Sequence, residues 1–83
     1  MNIRSHMITV ARAEALFTSS VPTGTALSRA EMVVAVAVAV RSLGGIRGCA
    51  AEMAAAFGER PDSAVTRMRW ALSVASSASK ALS

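Results

Sequence analysis

The sequence has no tyrosine, two phenylalanines, one tryptophan, one cysteine, one histidine and two prolines. A single cysteine excludes an internal disulfide, and without a Cys or His cluster around it Cys49 cannot build a structural zinc site. Acid is scarce as well: the five carboxylates are scattered singly, so neither a general acid–base pair nor a metal cluster assembles from them. The chain is therefore expected not to be an enzyme, with no metal, no cofactor and no evident small-molecule substrate. Long hydrophobic runs are also missing. The longest, nine residues between Glu31 and Arg41, falls far short of the roughly 20 needed to cross a bilayer. No membrane association is expected, and the cytoplasm is the expected compartment, with Cys49 reduced and buried.

What the chain has in abundance is alanine, eighteen residues in 83, which favours helices and lets their backbones approach closely. Hydrophobic residues reach 53% and the mean hydropathy is +0.46, high for a chain that must cover itself with polar surface. An exposed apolar patch that meets a partner or a second copy is the expectation, and a homodimer its simplest form. Because alanine fills little volume, the packing core is expected from Val10, Leu16, Phe17, the valines of residues 33–40, Leu43, Ile46, Met53, Phe57, Val65, Met68 and Leu72, with Trp70 either packed there or exposed as an anchor. The net charge is +4 and the isoelectric point about 11.2, a moderate basic bias that admits double-stranded DNA or an acidic protein as partner.

Residues 1–6, followed by Met7, read as an expression-tag remnant, since Ser5-His6-Met7 is a common scar at a cloning junction; residues 7–83 then form a single helical domain. His6 accordingly carries no functional argument. From Ile8 to Thr18 the spacing of Val10, Ala13 and Phe17 places apolar groups on one helical face. Residues 19–27 collect turn formers around Pro22 and Gly24. Ser28-Arg-Ala-Glu31 matches a capping box and predicts a helix over residues 29–43. Within it, Val33, Val36 and Val40 share a face and Val34 and Val38 lie close beside it. The alternation of valine with alanine also fits a strand, but the box at one end, Gly44-Gly45 at the other and the lack of any strand to pair with favour helix. Gly44, Gly45 and Gly48 read as a corner, with Gly48 able to cap the following helix, rather than as a phosphate cradle.

Residues 48–57 predict a third helix stopped by Gly58 in a left-handed conformation, and Pro61 opens a fourth, over residues 61–80, with Asp62 in its first turn, the stripe Ala64, Met68, Ala71, Ala75 and Ala78 on its core side with Val65 and Leu72 alongside, and Arg67 and Trp70 as neighbours at the boundary. The fold expected is all-α, a small bundle of four helices with a helix-turn-helix-like C-terminal pair. Cys49, near a helix N-terminus and close to Arg47, is a conceivable reactive thiol, though buried packing is the ordinary place for such a residue.

Ala51-Glu-Met-Ala-Ala-Ala-Phe-Gly58 resembles the first helix and turn glycine of the helix-turn-helix in sigma-factor region 4 and related regulators. Gly58 to Val65 is one residue longer here than in that family, and Pro61 lies within the turn. More loosely, Ala15-Leu-Phe17, Gly48-Cys-Ala50 and Arg67-Met-Arg-Trp70 resemble small uncharacterised helical proteins of actinobacterial type, which implies a bacterial protein. The helix-turn-helix shape together with the basic charge suggests a DNA-binding transcriptional regulator: Thr66, Arg67 and Arg69 would meet base edges or phosphates, and Arg47 and Arg60 would reach the DNA backbone. The alternative is a protein-interaction module, an adaptor or regulatory subunit, that presents an apolar helical face through Val34, Val38 and Trp70. Two features separate them. DNA binding needs the arginines to converge on one face; an interaction module shows an apolar groove or ridge with the arginines dispersed.

Overall fold

The computed structural model describes residues 3–80, the side chains of Ser5, Ser79 and Lys80 excepted. Four helices follow one another: α1 (Ile3–Thr18), α2 (Arg29–Ser42), α3 (Ile46–Glu59) and α4 (Pro61–Lys80). They pack into an all-α bundle with extents of 37 × 24 × 23 Å. The C-terminal half of α1 sits at the centre and touches the other three helices, most extensively α4, whereas α2 is the least engaged of the four. α1 begins at Ile3 rather than near Ile8, so Ile3 to His6 join the helix.

α2 starts as its capping box requires. The Ser28 hydroxyl accepts from the Glu31 N–H at 3.1 Å, and Glu31 Oε1 accepts from the Ser28 N–H at 2.9 Å. At its other end Leu43 is the C-cap, Gly44 follows with φ of 75°, and the Gly45 N–H donates back to the Val40 carbonyl at 2.8 Å. This is the Schellman closure, which needs a left-handed residue that only glycine adopts cheaply.

Gly45, with φ of 117°, is the N-cap of α3. Gly48, expected to cap, instead lies inside the first turn, where a Cβ would fall directly on the Leu43 carbonyl oxygen. The corner closes this tightly only because that position is bare. Gly58 also departs from expectation. It has no positive φ, α3 continues through it to Glu59, and Arg60 alone links α3 to α4. Pro61 accounts for the short break: its missing N–H suits the first residue of α4, so the new helix begins without a loop.

The core differs in kind from the one expected. Leu16, Phe17 and Met32 are buried, but most of the other buried positions are alanines: Ala13, Ala15, Ala39, Ala56, Ala64, Ala71, Ala75 and Ala78. Val65 and Leu72 are exposed, and Val33, Val34, Val38 and Ile46 lie largely in solvent. In α4 the stripe Ala64, Ala71, Ala75 and Ala78 runs at helical spacing along the inward face. Small side chains there let α4 lie close against α1, so close backbone approach decides which face turns inward. Bulk enters at a few points, notably the stacked rings of Phe17 and Phe57, 5.7 Å apart.

Candidate interaction surface

α2 is apolar on every side from Met32 to Val40, yet only one side of it is buried. Met32 and Ala39, one heptad apart, face the core, with Ala35, Val36, Val40 and Leu43 packed beside them. The valines expected to share the core face are thus divided, Val36 and Val40 half-buried and Val33 outside. A helix with apolar residues all round is normally enclosed; here the outer half is open. Ala30, Val33, Val34, Ala37 and Val38 form the open stripe, with Val34 62% and Val38 54% exposed. Beside it runs a groove of about 740 Å³ between α2 and the chain that follows α1, lined by Val34, Val38, Ala35, Leu43 and Val21, with Ser19, Ser20 and Glu31 at its polar margins. Val34 and Val38 belong to both stripe and groove, so the two form one continuous surface.

Of the residues assigned to DNA, Thr66 and Arg69 stand exposed on one strip of α4, and Arg67 is withdrawn from it. Arg67 turns inward. Its Nε–H donates to the Phe17 carbonyl at 2.6 Å, one terminal nitrogen donates to Thr23 Oγ1 at 2.8 Å, and the other donates to the carbonyls of Ser19 at 2.8 Å and Leu16 at 3.3 Å. The guanidinium also lies 4.9 Å from the Trp70 ring and 5.9 Å from that of Phe17. Helix α1 has no basic residue in its own last turn, so Arg67 supplies from another helix the cation and donors that its terminal carbonyls require. Burial draws the Arg67 pKa down from the usual arginine value. Arg69, two residues on, lies about 160° away around α4 and is exposed. Thr66 is exposed and donates to the Asp62 carbonyl at 3.3 Å. Arg60 pairs with Glu59 at 3.4 Å in the link between helices, and Arg47 stands exposed in the first turn of α3. Arg67 and Arg69 therefore do not converge.

Trp70 is half-buried, and its indole N–H donates to the Thr25 carbonyl at 2.9 Å. With Arg67 it clamps the α1–α2 loop against α4, so its place is in the packing rather than on the apolar surface with Val34 and Val38. Sequence reasoning identified both residues as neighbours on α4, but their partners lie 44 to 51 positions away in the chain. The only signal was the pairing itself, a planar cation three residues before an indole.

Cys49 is fully buried against Ala15 and Ala39 and is a packing residue. Among the described residues no three His, Cys, Asp or Glu side chains gather where a metal could sit. No single helix among them is long and apolar enough to cross a membrane; α2 and α3 reach that length and composition only together, bent by 89° at the glycine corner. No protein-family model, curated protein or solved structure matches the chain.

Proposed function

We propose that the chain is a non-enzymatic protein–protein interaction module, an adaptor or regulatory subunit, which binds through the outer face of α2 and the groove beside it. One observation carries this reading: Val33, Val34 and Val38 stand exposed in a row on a helix whose start and stop are both firmly capped. An apolar stripe on a secure helix marks an interaction site, whereas scattered single apolar residues need no explanation. The arginines support the same reading from the other side. Arg67 holds α1 and the loop after it instead of facing outward with Arg69, and Arg60 stands beside the Glu59 carboxylate, which weakens the arginine set that a DNA groove would need. The cytoplasm suits such a module, since its one thiol is buried and unpaired.

The test is the fluorescence of a hydrophobic dye, anilinonaphthalene sulfonate, with the wild type and with Val34→Glu/Val38→Glu. The wild type is expected to enhance the dye and the variant to lose most of that enhancement while keeping its helical circular dichroism. A labelled random-sequence duplex run in parallel by anisotropy is expected to show no strong salt-dependent binding. Affinity that falls a hundredfold or more between about 50 and 200 mM salt would instead point to several phosphate contacts and overturn the module reading.

A further inference from the structure

Charge is placed along the α2 stripe with a direction. Glu31 stands at its N-terminal end and Arg41 at its C-terminal end, both exposed, with only apolar side chains between them on the outer face; Arg29, also exposed in the first turn, lies about 160° around the helix from Glu31. Two copies of this helix laid side by side in parallel would set Glu31 against Glu31 and Arg41 against Arg41. Laid antiparallel, they bring Glu31 to Arg41 at both ends and oppose their helix dipoles favourably. Exposed ion pairs contribute little affinity, but they do select orientation and register.

The same register matches the apolar positions. When Glu31 faces Arg41, Val34 of each helix faces Val38 of the other, since both pairs are placed symmetrically about residue 36. Ala37, small and outward, lies next to the two-fold axis, where two helices come closest. A self-complementary surface of this kind makes a closed two-fold contact, in which each pairing occurs twice.

Resting on the module reading above, we infer that the occupant of the α2 surface is a second copy of this chain, its α2 antiparallel to the first, with Val34 against Val38 and Glu31 against Arg41 at either end. The groove between α2 and Ser19–Val21 then receives the flank of the partner helix. The interface is expected to be modest and the dimer concentration-dependent.

Disulfide trapping tests both pairing and direction in the full chain. In an antiparallel pair the two copies of residue 37 are displaced along the axis by about 3 Å, whereas the two copies of residue 30 are about 18 Å apart. Ala37→Cys is therefore expected to form a covalent dimer on mild oxidation, and Ala30→Cys is not; the wild type, with Cys49 buried, is the control. An equimolar mixture of Ala30→Cys and Arg41→Cys is expected to yield the mixed covalent dimer. Cross-linking of Ala30→Cys to itself as readily as Ala37→Cys would overturn the antiparallel arrangement, and no cross-link from any variant at millimolar concentration would overturn self-pairing. These failures differ from failure of the module reading. A monomer whose dye enhancement still depends on Val34 and Val38 keeps the surface and loses only the proposed occupant, and a monomer without that enhancement loses both.

Discussion

Arg67 is the residue on which most of the long-range polar structure converges. Four of its N–H groups are engaged with Leu16, Phe17, Ser19 and Thr23, so removing it takes the donor from the Phe17 and Ser19 carbonyls in a partly buried place, while the Leu16 carbonyl keeps the Ser19 N–H and hydroxyl. Arg67→Ala is expected to destabilise by about 2 to 4 kcal/mol, read by urea unfolding. Arg67→Lys is expected to recover less than half of that loss, because an ammonium cannot spread donors over the same fork of acceptors. Equal stability of the lysine variant and the wild type would show that charge alone suffices. The glycines give a second contrast. Gly48→Ala places a methyl on the Leu43 carbonyl and is expected to cost about 2 kcal/mol or more, against alanine's better helix propensity. Gly58→Ala meets open space inside α3 and is expected to stabilise by about 0.5 to 1 kcal/mol. If the two substitutions have effects of the same sign, the packing described at the α2–α3 corner is wrong.

At the scale of the element, α2 shows what local sequence can and cannot specify. Its boundaries were legible because capping chemistry is local: Ser28 and Glu31 are three residues apart, and Gly44-Gly45 follow directly on the last turn. Which face turned inward was not legible, since a helix of valine and alanine offers almost no amphipathic contrast to read. The stripe of α4 was legible, because Ala64, Met68, Ala71, Ala75 and Ala78 recur at helical spacing opposite a polar face; what spacing did not show is that these small residues, rather than Val65 and Leu72 beside them, make most of the contact. Gly58 was misread because a glycine at a helix end and a glycine one turn short of a proline look alike in sequence. Glu31 gives the element a pH signature. The Ser28 N–H first, and the Ser28 hydroxyl second, hold its carboxyl below the ordinary 4.5. With the folded value depressed, the contribution is complete above the unfolded pKa and is lost as pH falls through the folded one. The stability advantage of the wild type over Glu31→Gln, followed by urea unfolding, is expected to stay constant above about pH 5 and to shrink below about 4.5. An advantage that grows on acidification would contradict the capping box as described.

At the scale of the whole molecule, a core rich in alanine has a consequence for assembly. Each buried alanine removes far less apolar area from water than the leucine or phenylalanine whose burial is worth about 1.5 to 3 kcal/mol, so the bundle leans on a few large residues and on caps. Val33, Val34 and Val38 are among the larger apolar side chains it leaves outside, and they stand together on one helix. Composition implied an exposed apolar patch; Val34 and Val38, expected in the core with the other valines and on a partner face only under the alternative reading, are in solvent, while Trp70 is held in the packing by Thr25 and Arg67. The separation of Arg67 and Arg69 was legible in their i, i+2 spacing, which sets them on different sides of a helix, whereas the turn of Arg67 toward the carbonyls of α1, some 50 residues away, was not.

Sedimentation equilibrium of the wild type and of Val34→Glu, from micromolar to millimolar concentration, tests the α2 surface most directly. The wild type is expected to rise from 8.5 kDa toward twice that mass, and Val34→Glu to remain at 8.5 kDa with its helical content unchanged. A wild type that stays at 8.5 kDa throughout, or a variant that associates as strongly as the wild type, would contradict self-assembly through this face.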